Sequence, residues 1–235
     1  MNLVATKLKI SAGMTVLVIG SGFGGLCNYL AFNYQVRVVG VTNSESQINY
    51  ARRFCSGSKV CFRLMEYDCL FLTEKFDCII STEQLQVQDH RKFLTSIGKY
   101  LKDDGLFLFE TPGAQSCNSN LEFLTNSSTI HVPTNTLDFS LESIPDLFVI
   151  EEIENFGEHF YKTFEAWIDK LEKNSSDLKR VYGENTIRKF KFSYVCNAEG
   201  FRMAKFQWWQ ILLSKKHKEG VHSCSFSELF DEDFL

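Results

Sequence analysis

The sequence predicts an α/β domain built on a doubly wound, parallel sheet. Three observations predict it. Short apolar runs alternate with helix-like segments through the first half of the chain. The first run, VLVI at 16–19, leads into four glycines between positions 20 and 25 and then into a helix-like stretch. The chain has 235 residues, 44% hydrophobic and 23% charged, enough for one such domain with an elaboration.

Taken in order, MTVLVIG (14–20) reads as a buried strand and Gly24 to Asn33 as a helix. VRVVGVT (36–42) is a second strand. SESQINYARRF (44–54) follows as a helix, with Ser44 as N-cap and Gln47 three residues on, a capping-box pattern. VCFRLME (60–66), FDCIIS (76–81) and GLFLFE (105–110) are further strands, and DHRKFLTSIGKYLKDDG (89–105) is an amphipathic helix ending in a turn. Residues 111–146 break the rhythm: they are rich in Ser, Asn and Thr, hold all three prolines, and read as a long loop over the sheet's carboxyl edge. LFVIEEIENFG (147–157) resumes as a strand, 160–200 holds two helix-like segments with aromatic spacing, and KFQWWQILLSKK (205–216) is the last strand. The tail 217–235 is acidic and reads as mobile.

Composition excludes several classes of function. A net charge of −4 gives no basic footprint for nucleic acid. No apolar run approaches the roughly 18 residues that span a bilayer, and the N-terminus lacks the apolar core of a signal peptide. Eight cysteines without CxxC spacing read as buried free thiols in a reducing, cytoplasmic setting, so the sequons at Asn126 and Asn174 read as unused.

The glycines let backbone approach a ligand without interference from Cβ. Gly20, Gly22 and Gly25 satisfy the GxGxxG of dinucleotide sites, whereas Gly20, Gly22 and Gly24 satisfy the GxGxG of S-adenosylmethionine sites. A purely structural tight turn is the third option. The end of the second strand reads GVTNSESQ, with no carboxylate before Glu45, which is not the usual pattern for holding a dinucleotide ribose.

Longer motifs narrow the choice. VIGSGFGGLCNYLAFNY, VVGVTNSESQ, FDCIIS, LKDDGLFLFE, NFGEHFYKTFEAW and GFRMAKFQWWQILLSKK together resemble the cyclopropane-fatty-acyl-phospholipid synthase family, from about residue 1 to 216. The last two motifs are far more family-specific than the glycine turn. Plant alkaloid N-methyltransferases of the coclaurine type belong to the same broad group, and GVTNSESQ and LKDDGLFLFE lean toward them. The resemblance implies a class I methyltransferase sheet of order 3-2-1-4-5-7-6 with a helical insertion before the last strand. It implies S-adenosylmethionine as cofactor and a single domain over 1–216, with 111–146 and 160–200 over the active site.

By that resemblance Gly20, Ser21, Gly22 and Gly24 pass under the methionine and ribose of the cofactor. Thr42, Asn43 and Gln47 meet its ribose and adenine side. Asp68 and Cys69 lie where the family contacts adenine, and Thr82 lines the same pocket. Val18 stands where the family has an Asp in the first strand. The family closes a ring by holding bicarbonate with a Cys, a Glu, a His and a Tyr. Those positions fall here at Ala5, Gln86, Glu110, and near Phe192 or Ser193 with Tyr194 one step off. Almost the whole anion cradle is missing, and a Glu for a His puts negative charge where an anion should bind. The chain begins where the family's methyltransferase core begins, so the expectation is either a shortened form or a site covered by 111–146 and 160–200 alone.

The expected catalytic set is Glu110, Gln86 and His159. Glu110 reads as a base or counter-charge for a cationic amine, against a strand-end carboxylate facing solvent. His159 reads as an acceptor contact, against a structural histidine. Trp167, Trp208 and Trp209 read as core or pocket wall, and KKHKEG (215–220) as a solvated strand end. Three functions compete: transfer of a methyl group to a small-molecule or amine acceptor, methylation or cyclopropanation of a lipid alkene, and an inactive cofactor-fold binding protein. The partner is a small-molecule or lipid acceptor, without nucleic acid or stable membrane insertion.

Overall fold

A computed structural model describes residues 1–57, 59–67, 70–82, 90–114, 144 and 147–216. After a short helix α1 (Asn2–Lys7), the elements run β1 (Thr15–Ile19), α2 (Gly25–Tyr34), β2 (Arg37–Thr42), α3 (Glu45–Phe54), β3 (Val60–Leu64) and β4 (Phe76–Ser81). They continue with α4 (His90–Tyr100), β5 (Leu101–Ala114), β6 (Phe148–Asn155), α5 (Gly157–Lys173), α6 (Ser175–Tyr182), α7 (Glu184–Arg202) and β7 (Phe206–Lys215). The seven strands form one sheet of order β3-β2-β1-β4-β5-β7-β6, as expected. Strands β1 to β5 pair in parallel, whereas β7 runs antiparallel to both β5 and β6.

Alternation along the strands divides the core in two. Val16, Val18, Cys78, Ile80, Leu108 and Leu212 face α1, α2 and α3, packing on Ala5, Leu8, Cys27, Leu30, Ile48 and Ala51. Leu17, Ile19, Ile79, Phe107, Phe109, Ile211 and Leu213 face the other way, onto Phe93, Leu94 and Ile97 of α4. A third, aromatic cluster joins the helical insertion to the sheet: Phe201, Phe206 and Trp208 with Phe156, Phe160, Tyr161 and Phe164. Gly200 permits this junction, because a Cβ there would lie 2.1 Å from the ring of Phe206.

Three boundaries differ from the sequence reading. The strand expected at 105–110 runs from Leu101 to Ala114, so the expected helix at 89–105 ends at Tyr100 and the first four residues of the expected loop are strand. The region 160–200 forms parts of three helices rather than two, with breaks at Asn174 and at Gly183. Cys27, Cys55 and Cys78 are buried free thiols, but Cys61 is exposed on the outer strand β3. Burial pushes the thiols of Cys27, Cys55 and Cys78 up, the last to about 12, so they stay protonated. No described helix is long and apolar enough to cross a membrane. The tail 217–235 and most of 111–146 lie outside the described residues.

Candidate functional site

The site is built where the parallel strands end. Gly20 and Ser21 donate their backbone N–H groups to the carbonyl of Val41, at 3.0 and 2.9 Å, which fastens the glycine turn to β2. Gly20, Gly22 and Gly24 all have positive φ, at 77°, 53° and 87°, a conformation that branched side chains resist. Their surroundings differ. A Cβ on Gly24 would meet Phe62, Cys55 and Ala51 at 2.9 to 3.1 Å, so this glycine serves packing. A Cβ on Gly22 would meet nothing within 4 Å: it would project into open space above the turn.

Two serine hydroxyls lie at this edge. Ser21 follows β1 in the turn and Ser81 ends β4; both are buried, and neither Oγ has a hydrogen-bond partner. Buried hydroxyls without partners are costly, so their presence beside an open cradle marks a place for a polar ligand. Thr82, the next residue, donates its N–H to the carbonyl of Ile19 and its hydroxyl to that of Gly20, which ties β4 to the start of the turn.

The second cluster is the β2–α3 turn, where the structure brings Thr42, Asn43 and Gln47 together. Thr42 is fully buried; its hydroxyl donates to Gln47 Oε1 at 2.7 Å and accepts the N–H of Ser44. Thr42 therefore shapes the turn and holds Gln47. Ser44 caps α3 as expected, accepting the N–H of Gln47. Asn43 is exposed, bonding Glu66 through its amide nitrogen and Tyr67 through its oxygen. Val18 lies in the core facing α2 and α3, so the inner end of the site is hydrocarbon where the sequence resemblance places a carboxylate.

Register carries the site across the sheet. Ile19 pairs with Ser81, Ser81 with Phe109, and Phe109 with Ile211. One residue further on, Gly20, Thr82, Glu110 and Gln210 fall in one row, on the face that packs against α1 to α3. With strands about 4.8 Å apart, Glu110 lies roughly 10 Å from Gly20 along that row. Glu110 is half-buried rather than open to solvent, and its Oε1 accepts Gln210 Nε2 at 2.7 Å. Gln210 also pairs in register with Glu154 of β6. Lys7 of α1, its side chain only 8% exposed, bridges Glu154 at 2.5 Å and Glu152 at 2.6 Å and lies over the ring of Phe156. Burial pulls the Lys7 ammonium down, but the two carboxylates more than offset this and hold it above its ordinary range. Ala5, where the sequence resemblance places a cysteine, is buried against the same face.

The other expected residues fall elsewhere. His159 is exposed on α5, its ring 5.5 Å from that of Phe156. Asp68, Cys69 and Gln86 lie outside the described residues. Trp208 is core, Trp209 is half-buried, and Trp167 is 44% exposed at the edge of a cavity of about 540 Å³ among α5, α6 and α7. That cavity belongs to the helical insertion, away from the glycine turn.

The family model for mycolic acid cyclopropane synthetase matches residues 1–211. The chain belongs to the mycolic acid cyclopropane synthetase family. Within and around that family, it is 31% identical to the cyclopropane-fatty-acyl-phospholipid synthase of Escherichia coli K12 over 228 residues, covering 94% of this chain and 58% of the relative. The chain thus spans well under two thirds of that relative's length. Among solved structures, the cyclopropane synthase MmaA2 from Mycobacterium tuberculosis superposes with a TM-score of 0.82 at 21% identity, over 92% of this chain and 82% of the other. Coclaurine N-methyltransferase bound to N-methylheliamine and SAH superposes with a TM-score of 0.77 at 21% identity, over 91% and 71%. These two likenesses establish the class I methyltransferase fold. Gln210 and Ser81 are site-edge residues that the sequence reading did not single out. The signal for Gln210 was available in the alternation of Trp208, Gln210 and Leu212 on one strand face.

Proposed function

We propose that this chain is an S-adenosylmethionine-dependent methyltransferase acting on an amine or another lone-pair acceptor. The cofactor reading is supported by the open cradle at Gly22 and the partnerless hydroxyls of Ser21 and Ser81, and by family membership. Gly20, Ser21, Gly22 and Gly24 would carry the methionine and ribose, with Asn43 and Gln47 at the ribose and adenine side and Thr42 holding Gln47. Asp68, Cys69 and Thr82 complete this assignment. When bound, the cofactor supplies an electrophilic methyl group on sulfur.

The observation that carries the acceptor class is Glu110, a half-buried carboxylate in the row of Gly20 and Thr82. A carboxylate there attracts a protonated amine and takes its proton, freeing the lone pair that attacks the methyl carbon. Gln86 and His159 are proposed as further acceptor contacts. The domain is proposed to comprise 1–216, in a reducing compartment, with 111–146 and 160–200 covering the acceptor.

A second reading, methylation or cyclopropanation of a lipid alkene, is favoured by the 31% identity to the E. coli synthase. Against it stand Ala5, Gln86 and Glu110 at positions where the family resemblance implies ligands for bicarbonate. Calorimetry with S-adenosylhomocysteine and NAD tests the cofactor assignment: the first should bind and the second should be far weaker. A preference for NAD would overturn it.

A further inference from the structure

We infer that the cavity among α5, α6 and α7 is a second binding site, one that takes an amphipathic carboxylate with a hydrocarbon body. Its volume, about 540 Å³, lies in the range that holds a small organic molecule. Its walls are apolar: Trp167 and Leu171 of α5, Leu178 of α6, and Ile187, Phe190 and Tyr194 of α7. The ring of Tyr194 lies 5.5 Å from that of Trp167 and 6.1 Å from that of Phe190, so part of the wall is a run of rings. Helix α6 buries none of its residues, and Trp167 and Phe190 are 44% and 43% exposed. Apolar walls left facing water favour a hydrocarbon partner. The place is distinct from the row at the sheet edge. Helix α5 starts at Gly157, beside β7, and Trp167 lies about 15 Å further along it.

Charge selects the head group. Lys170 is the one charged side chain among the described residues that line the cavity, and it is exposed. The carboxylates of this part of the insertion are committed elsewhere: Glu172 pairs with Lys191, Asp177 with Arg180 and Glu184 with Lys179. Among the described residues Lys170 joins no ion pair, and neither do Lys173, Arg188 and Lys189 on the same helices. Asp169 is the one carboxylate left against these four cations, so the distal half of the insertion carries an excess of unpaired positive charge. A carboxylate that meets the Lys170 ammonium leaves its chain on the apolar walls, and both ends are satisfied. A cationic amphiphile offers the same chain but brings like charge to Lys170. The site stands apart from the amine reading above and holds whichever acceptor is methylated.

Direct binding tests this without turnover. Titrate the full chain at neutral pH with dodecanoate and with dodecyltrimethylammonium, each below its micelle concentration, in the calorimeter. Wild type should bind the carboxylate about tenfold more tightly than the trimethylammonium. Lys170→Gln, at an exposed position, should narrow that preference to about twofold. Leu178→Glu, which puts a carboxylate into the cavity wall, should abolish dodecanoate binding. Circular dichroism and the urea transition show that each variant is folded, and Lys170→Gln decides alone if Leu178→Glu is not. Saturating S-adenosylhomocysteine should leave dodecanoate affinity unchanged, whereas competition between them would place the amphiphile at the glycine turn and overturn the inference. So would absence of dodecanoate binding, equal binding of the two amphiphiles by wild type, or an unchanged preference in Lys170→Gln. None of these outcomes bears on methyl transfer, which the separate binding of S-adenosylhomocysteine tests.

Discussion

The rings of Phe160 on α5 and Trp208 on β7 stack with centroids 3.9 Å apart and planes 19° from parallel. Phe160 also meets Phe201 of α7 at 5.5 Å, and Phe201 meets Phe206 at 5.9 Å. The two motifs that most specifically mark the family, NFGEHFYKTFEAW and GFRMAKFQWWQ, are thus largely a seam that fastens the helical insertion to β7. Asn155 adds to it by accepting the N–H of Gly157 at 2.9 Å, where α5 begins.

Trp208→Ala should therefore loosen the insertion as well as lower global stability. The expected cost is about 3–5 kcal/mol for a buried aromatic. Urea unfolding measures the total, and hydrogen exchange in α5 and α7 locates it. Exchange unchanged in those helices would contradict the role of the seam.

Gly22→Val tests the cradle. A Cβ there meets nothing within 4 Å, yet the substitution forces a branched residue to a φ of 53° and puts its methyl groups into the cradle. Affinity for S-adenosylhomocysteine should fall by roughly 1.4 kcal/mol or more, a tenfold weakening. Calorimetry on the folded variant reads it, and undiminished binding would remove the turn from the cofactor site.

Asp77 ties the opposite edge of the sheet. Its carboxylate accepts the N–H and hydroxyl of Thr15 at 2.8 and 2.9 Å and pairs with Lys102 at 2.6 Å. Burial pushes this carboxyl up, but Lys102 and the two Thr15 donors more than offset it and hold it below the ordinary 3.8. A group depressed on folding contributes stability above its unfolded pKa, and this is lost as pH falls through the folded one. Asp77→Asn should cost about 1–2 kcal/mol near pH 7, with a gap that narrows below about pH 4. Urea titrations across that range check the sign, and a gap that widens in acid would refute it.

Most of the sheet was legible because both of its faces are covered, which makes parallel strands read as continuous apolar runs such as VLVI and FDCII. The glycine turn was legible for the same local reason. Helix α1 was not, since six residues carry little periodicity. The break between α5 and α6 falls on Asn174 alone, without the glycine that marks Gly183, so two helices read as one segment. Sequence places Glu110 at a strand end, whereas β5 runs on to Ala114 and Glu110 lies inside it, level with the residues that follow β1 and β4. Alternation along β7 puts Gln210 on one face with Trp208 and Leu212, but its pairing with Glu110 was not legible, because a register joining residues 100 positions apart is set by how β7 inserts between β5 and β6. The expected residues Asp68, Cys69 and Gln86 fall outside the described chain.

The central claim is that this row of residues serves methyl transfer to a lone pair. The most direct measurement is mass spectrometry of products from a labelled S-adenosylmethionine methyl group, with an amine panel and unsaturated phospholipid run side by side. Label should appear on a primary or secondary amine, and Glu110→Gln should reduce it by roughly a hundredfold or more, the usual scale of a general base. Bicarbonate-dependent cyclopropane formation in the phospholipid, with the amines unlabelled, would contradict the account.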